Sequence, residues 1–144
     1  MNENLEEQVK RYVLDSYAVL AYLKEEVGYE AVLNRIVDAK EGKCRLFMSL
    51  INLGEVLYIV ERERELSKAQ EVLALIDELP VVIESVDHEL TLSAAHLKAQ
   101  YSIAYADCFA AALAQQKKAV LISGDPDFEK VAEVVALKWL PKKV

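Results

Sequence analysis

The sequence predicts a three-layer α/β/α sandwich built on a mostly parallel sheet of about five strands. Short apolar runs alternate along the chain with longer segments of helical periodicity. The apolar runs show no polar alternation, which is typical of parallel strands covered by helices on both faces. The sequence contains no internal repeat, low-complexity tract or Gly/Ser linker, so we expect a single domain over residues 1–144.

Five segments are predicted to be strands because they are short, apolar and bounded by turn or helix signals. Pro80 lacks a backbone N–H donor and is therefore tolerated only at the first position of its strand. The predicted strands cover residues 11–14, 45–48, 80–84, 119–123 and 136–140. The chain between successive strands is long enough for the helical crossovers that parallel pairing requires.

The segments between the strands have helical periodicity and recognisable ends. Gly28 and Gly42 bound one helix, and Ser67 is the expected N-cap of another. Asp125 followed by Pro126 is a common helix start, with the acid as N-cap and proline at the first helical position. Apart from the helix that starts at Asp125-Pro126, the predicted helices cover residues 16 to about 26, 29–40, 49–64, 67–79, 87 to about 101, and 105–116.

Composition is that of a soluble globular protein. Hydrophobic residues make up 53% of the chain, yet no apolar run approaches the ~20 residues needed to cross a bilayer. The acidic N-terminal seven residues lack the apolar core of a secretory signal, so we expect a cytoplasmic protein with no membrane partner and with Cys44 and Cys108 reduced. The net charge of −7 argues against passive binding to a polyanion, but it is compatible with a nuclease that recruits a cation.

Four carboxylates lie in apolar sequence, where an unpaired charge is costly. Asp15 ends the first predicted strand and Asp125 follows the fourth, at the carboxyl ends where open α/β sheets form their sites. Glu55 and Asp107 lie inside helical segments whose neighbours at helical spacing are largely apolar. Very few basic residues lie nearby, so we expect these acids to share a bound cation.

Each acid also has a structural interpretation. Asp15 could be the N-cap of the first helix, although Ser16 can serve equally well. Asp107 would lie in the first turn of its helix, where the helix dipole favours an anion, and Asp125 could be an N-cap only. Glu55 is the hardest to explain in this way, because isoleucines lie one turn away on either side.

The four acids lie in four segments of the chain, which are Val13-Leu14-Asp15-Ser16-Tyr17-Ala18, Asn52-Leu53-Gly54-Glu55, Ala106-Asp107-Cys108-Phe109-Ala110-Ala111-Ala112 and Ser123-Gly124-Asp125-Pro126-Asp127-Phe128. In order and spacing these segments resemble those of the PIN domain family and in particular of VapC-like toxins. The resemblance covers nearly the whole chain, and a serine at position 123 replaces the usual threonine.

The resemblance implies an endoribonuclease that uses Mg²⁺ or Mn²⁺ to hydrolyse RNA, and a small antitoxin protein as partner. Oxygen ligands alone suit these two cations. The implied catalytic and metal-binding quartet is Asp15, Glu55, Asp107 and Asp125. The secondary candidates are Asp127 as an alternative fourth acid, Ser123 and Ser16 to orient water or carboxylates, and Asn52 to support them.

Other classes of acid-bearing α/β protein fit less well. Enzymes of the haloacid-dehalogenase type need a second aspartate two residues after the first, where this chain has Tyr17. A receiver domain requires paired acids after the first strand, and no pair follows Leu14. The remaining alternative is a non-catalytic RNA-processing or interaction domain that keeps the PIN fold, and the intact quartet argues against it.

The apolar residues of two helices predict a homodimer. The segments 19–23 and 53–58 carry more apolar surface than one sheet face is expected to cover, and exposed apolar patches usually mark an interface. Two-fold dimers are the commonest soluble oligomers. PIN-like domains often pair so that two acidic sites face a shared groove, which Arg62 and Arg64 would line to meet an RNA strand.

Overall fold

The computed structural model describes residues 9–142 and confirms the predicted α/β/α class. Its strands are β1 (Lys10–Leu14), β2 (Cys44–Ser49), β3 (Val81–Glu84), β4 (Val120–Ser123) and β5 (Leu137–Trp139). They form a sheet in the order β3-β2-β1-β4-β5, and every neighbouring pair runs parallel. From the sequence we also expect no secretory signal in the first seven residues, and these lie outside the residues that the structure describes.

Helices fill the connections between the strands of this part of the chain. A 3₁₀ helix, Pro126–Val131, lies between β4 and β5. No helix within residues 9–142 combines the length and apolar character required to span a bilayer. The α-helices are α1 (Ser16–Leu23), α2 (Tyr29–Lys40), α3 (Leu50–Glu63), α4 (Leu66–Asp77), α5 (His88–Gln100) and α6 (Tyr105–Lys117).

The end of α1 and the N-cap of α4 differ from the sequence prediction, and the other predicted α-helix ends lie within two residues of those observed. Helix α1 ends at Leu23 rather than near residue 26, because Glu25 takes the left-handed backbone conformation at φ 52°, which a right-handed helix cannot include. The prediction that Ser67 caps α4 is wrong. Glu65 occupies the N-cap position, and the Ser67 hydroxyl donates a 2.9 Å hydrogen bond to its carboxylate.

The side chains of the central strands alternate between two hydrophobic clusters on opposite faces of the sheet. Leu14 and Met48 belong to the cluster that includes α1 to α4, whereas Val13 and Phe47 belong to the cluster that includes α5, α6 and the 3₁₀ helix. Both faces are therefore covered, which explains the absence of polar alternation in the strands. Each of these fully buried side chains contributes about 1.5–3 kcal/mol through burial.

The strand order creates a crevice at the carboxyl edge of the sheet, between β1 and β4. The chain moves outward from β1 to β2 and β3 on one side, and to β4 and β5 on the other, so this is the topological switch point where open α/β sheets form sites. Leu14 pairs in register with Ile122. The next residues therefore lie side by side: Asp15 directly follows β1, and Ser123 is the last residue of β4.

Helix α6 is buried around most of its circumference. Its residues 107–114 are all buried, and four of these eight are alanines. The small side chains let α6 pack closely between the sheet and α5, as the alanine-rich sequence predicts. The close packing brings the first turn of α6, and Asp107 with it, to the carboxyl edge of the sheet.

The structure corrects the expected source of exposed apolar surface. Val19, Ala21 and Leu53 are buried in the core, so most of the segments 19–23 and 53–58 is covered within one chain. Tyr58 is exposed, at 48%. It shares α3 with two further exposed apolar side chains, Leu50 and Ile51.

Candidate metal centre at the carboxyl edge

Asp15 is buried at the carboxyl edge of the sheet, with only 2% of its surface exposed, and both of its carboxylate oxygens accept hydrogen bonds. One carboxylate oxygen, Oδ1, accepts a 2.9 Å hydrogen bond from the backbone N–H of Ala18, which makes Asp15 the N-cap of α1. The other, Oδ2, accepts a 2.6 Å bond from the Ser123 hydroxyl. The capping role therefore belongs to Asp15 and not to Ser16, and the same side chain also ties β1 to the end of β4.

Ser123 continues this network into the loop that carries two more acids. Its Oγ accepts a 3.0 Å hydrogen bond from the backbone N–H of Asp125. The Asp125 carboxylate in turn accepts a 2.9 Å bond from the backbone N–H of Asp127 and caps the 3₁₀ helix. The expected cap of Asp125 and Pro126 is thus present, although it begins a 3₁₀ helix.

Three carboxylates converge beside Asp15. Asp107, Asp125 and Asp127 each offer an oxygen atom, and these atoms all lie within 4.8 Å of one another. Asp107 is buried, Asp125 is half-buried and Asp127 is exposed. Asp127 was a secondary candidate in the sequence analysis, and in the structure its carboxylate lies as close to Asp107 and Asp125 as a shared cation would require.

Glu55 faces the cluster from α3. It is half-buried, and its Oε1 accepts a 2.5 Å hydrogen bond from the Ser16 hydroxyl. The charge of Glu55 acts on Asp107. Its helix face is apolar but not sealed, since Ile51 one turn earlier is 37% exposed. Glu55 therefore keeps contact with solvent at this position.

Asn52 joins α3 to α6 directly beside Asp107. Its side chain is fully buried, and its Nδ2 donates a 3.2 Å hydrogen bond to the carbonyl oxygen of Ala106. Its Oδ1 is buried without a hydrogen-bond partner among the described residues. An unsatisfied buried acceptor costs about 1–3 kcal/mol, so this residue is held here at the expense of stability.

Burial and mutual repulsion keep protons on this cluster. Burial raises the pKa of Asp15 to about 7, against the bonds from Ser123 and Ala18 that lower it, and the charges of Asp107 and Asp125 raise it further. Burial also raises the pKa of Asp107 to about 7, with additional contributions from the charges of Asp125, Glu55 and Asp127. Near neutral pH the cluster therefore binds either protons or a cation.

The protein itself supplies little positive charge here. Lys130 Nζ lies 3.7 Å from Asp127 Oδ1, in the one ion pair among residues 9–142 that reaches the cluster, and it donates a 2.9 Å hydrogen bond to the Ser102 carbonyl. Both partners are about half exposed, and an exposed pair contributes at most ~1 kcal/mol. Carboxylates that converge without matching cations form a donor set that fits a hard divalent ion such as Mg²⁺ or Mn²⁺.

Two contacts of the site were not foreseen from the sequence. Lys130 lies three residues after Asp127, a spacing that could have indicated the pair. The ring of Tyr17 lies against Gly124, and no local sequence signal marks that contact, because the two residues are more than one hundred positions apart.

A family model describing the PIN domain matches residues 12–134. The match covers most of the sequence, and the chain therefore belongs to the PIN domain family. It includes each of the five acids described above. Curated protein sequences give no match to the chain.

Solved structures of VapBC and VapC proteins share the fold. VapBC2 from Rickettsia felis, bound to a promoter DNA fragment, is 18% identical, with 91% of this chain and 99% of that chain covered at a TM-score of 0.74. The DNA-bound VapBC from Salmonella typhimurium is 14% identical, with 90% and 98% covered at a TM-score of 0.72. VapC20 from Mycobacterium tuberculosis, described as a toxin that cleaves the sarcin-ricin loop, is 18% identical, with 86% and 96% covered at a TM-score of 0.67.

Replacing Asp107 by asparagine should stabilise the metal-free protein at pH 8 by about 1–3 kcal/mol. The raised pKa means that the folded state holds the Asp107 proton more tightly than the unfolded state, where the ordinary value is 3.8. Wild-type stability should therefore fall as the pH rises from about 4 to about 7, and Asp107→Asn removes the part of this loss that Asp107 causes. Urea denaturation in EDTA at pH 5 and pH 8 measures the difference.

The matched control is Asp77→Asn, which changes an exposed aspartate at the end of α4. Its effect should remain within about 0.5 kcal/mol at both pH values, as for most surface substitutions. An Asp107→Asn effect that is the same at pH 5 and pH 8 would contradict the described repulsion.

Proposed function

We propose that the protein is a Mg²⁺- or Mn²⁺-dependent endoribonuclease and the toxin of a toxin–antitoxin pair. The observation that carries the proposal is the convergence of Asp107, Asp125 and Asp127 within 4.8 Å, beside the buried Asp15. The charges of neighbouring acids raise the pKa of Asp15 and of Asp107, and a bound cation would relieve that repulsion. Membership of the PIN family supports the same reaction class.

In this proposal the aspartates hold the cation and their neighbours hold the aspartates. Asp107 and Asp125, with Asp127 or Asp15, would be the direct ligands. Ser123 keeps the Asp15 carboxylate in place, and the Ser16 hydroxyl orients Glu55 toward the cluster. When bound, a divalent cation supplies positive charge to the scissile phosphate and lowers the pKa of an attacking water.

RNA as the substrate is supported by chemistry and by relatives. A chain with a net charge of −7 needs a local positive charge to approach a polyanion, and the acidic cluster acquires one with the cation. Lys130 lies at the edge of the cluster, and the Arg62 guanidinium stacks 4.9 Å from the centre of the exposed Tyr58 ring. Among the structural relatives, VapC20 is described as cleaving the sarcin-ricin loop.

An antitoxin partner is supported by the same relatives. The VapBC structures from Rickettsia felis and Salmonella typhimurium are complexes bound to DNA, and another relative is a toxin-antitoxin complex from Klebsiella pneumoniae. We propose that a small antitoxin protein covers the acidic edge of this chain and blocks cleavage.

The alternative is a PIN fold that serves RNA processing or interaction without catalysis. Asp107 caps no helix, and burial raises its pKa to about 7, so a non-catalytic domain would gain stability from a neutral residue at this position. The presence of Asp107 therefore favours the enzyme.

The purified protein should cleave RNA in Mg²⁺ or Mn²⁺ and lose activity in excess EDTA. Asp107→Asn should lower the cleavage rate by at least about 100-fold, because one ligand of a charge-stabilising site is lost. Glu55→Gln should also lower the rate, whereas Glu61→Gln, an exposed glutamate on the same helix, should not. Gel analysis of an end-labelled structured RNA measures these rates.

Cleavage that persists in EDTA would rule out the metal mechanism. Full activity of a folded Asp107→Asn protein would mean that these acids serve the structure only.

We also propose that the protein is a homodimer. The exposed side chains of Leu50 and Ile51 are sequence neighbours of Asn52, which bonds to α6 next to the exposed Tyr105. Ile51 lies four residues, about one helical turn, before Glu55 on α3, and Leu50 directly precedes Ile51. Pairing of two such patches by a two-fold axis would bring two acidic sites to one groove, with Arg62 on the same helix.

Light scattering at micromolar concentration should give about twice the 16.2 kDa chain mass. Ile51→Asp should shift the protein toward the monomer, because it inserts a charge into the patch. Leu75→Asp, at an exposed leucine on α4, is the control and should leave the dimer intact. A monomer mass for the wild type would contradict the dimer.

A further inference from the structure

The aromatic ring of Tyr17 lies directly on the backbone of Gly124. A Cβ atom built on Gly124 would stand 2.6 Å from Cζ of the ring and 2.9 Å from its hydroxyl oxygen, and Cε1 would lie closer still. Real Cβ atoms essentially never come so close to another atom. The ring therefore occupies the space that any other residue at position 124 would need.

Gly124 is required for this close approach and not for its backbone conformation. The glycines with positive φ among the described residues are Gly28 and Gly42. An alanine would fit the backbone of residue 124, so the contact with Tyr17 is the feature that excludes it.

The contact joins the two segments that carry Asp15 and Asp125. Tyr17 is the second residue of α1, whose N-cap is Asp15, and Gly124 lies directly between Ser123 and Asp125. The segments therefore meet twice, through the 2.6 Å hydrogen bond from Ser123 to Asp15 and through the ring on Gly124. The two contacts thus involve Ser123 and Gly124, the two residues directly before Asp125.

We propose that Tyr17 is a positioning residue for the cation site, an inference that rests on the proposed function. Its ring fixes the backbone of Gly124 and so sets the distance from the Asp125 carboxylate to the oxygens of Asp107 and Asp127. Metal ligands must be held within about 0.5 Å of their productive positions, and this is achieved by packing around the ligands. The loop after β4 has no regular secondary structure before the 3₁₀ helix, and the ring supplies that packing.

A simple space-filling role would have a different consequence. Tyr17 is half-buried at the margin of one core cluster, and Gly124 is half-buried as well. Substitutions that only disturb core packing lower the free energy of unfolding and leave the affinity of a folded site unchanged. Positioning predicts that cation affinity changes in the folded protein and that the effects at the two residues are coupled.

The experiment is a double-mutant cycle on the full chain, with Mn²⁺ affinity measured by isothermal titration calorimetry and stability measured by urea denaturation in EDTA. Gly124→Ala should weaken Mn²⁺ binding by at least about 10-fold, because the new methyl group displaces the ring or the loop. Tyr17→Ser should weaken it by about 3–10-fold. The double variant should bind no more weakly than Tyr17→Ser, since the smaller side chain makes room for the methyl group.

The conservative control is Tyr17→Phe, which keeps the ring on Gly124 and should bind Mn²⁺ within about threefold of the wild type. If Gly124→Ala does not fold, the difference in Mn²⁺ affinity between Tyr17→Ser and Tyr17→Phe still tests the positioning role. Wild-type affinity in a folded Tyr17→Ser protein, or simple additivity in the cycle, would overturn the positioning role alone. A wild-type chain that binds no Mn²⁺ would overturn the proposed function, and this inference with it.

Discussion

Burial of the Asp15 carboxylate between two strand ends is the constraint on which the site depends. One oxygen caps α1 and the other accepts a hydrogen bond from Ser123 at the end of β4, so a single side chain fixes where both segments leave the sheet. These two hydrogen bonds offset only part of the cost of burial, since the pKa of Asp15 still rises to about 7. The position of the Asp15 carboxylate is thus fixed by hydrogen bonds, while its ionisation is disfavoured by burial.

The rest of the fold brings further acids to this edge at a similar cost. Alanines let α6 pack closely enough to place Asp107 at the crevice, and Asn52 fastens α3 to α6 while its own Oδ1 is unsatisfied. Like charges that gather in this way destabilise a protein unless a counter-charge is present. The proposed cation would offset this repulsion, which the hydrogen bonds of the site do not remove.

The sequence predicts the fold well because its signals are local and repeated. The strands are recognisable from apolar runs and the helices from periodicity, and the strand ends place Asp15 and Asp125 on the same edge. The sequence does not distinguish between neighbouring residues of equal capping ability, such as Asp15 and Ser16 at the start of α1. Contacts distant in sequence, such as that of Tyr17 with Gly124, leave no local pattern. The burial of residues 19–23 also depends on packing by α2, α3 and α4, which periodicity does not specify.

Anomalous diffraction from a crystal soaked in Mn²⁺ tests the central claim most directly. The account predicts a peak about 2.2 Å from carboxylate oxygens of Asp107 and Asp125, with Asp15 or Asp127 completing the protein ligands. A site that stays empty at saturating Mn²⁺, or a peak bound by other residues, would contradict it. The acidic cluster would then have a structural role only, with Asp15 and Asp125 as helix caps, and the nuclease proposal would lose its main support.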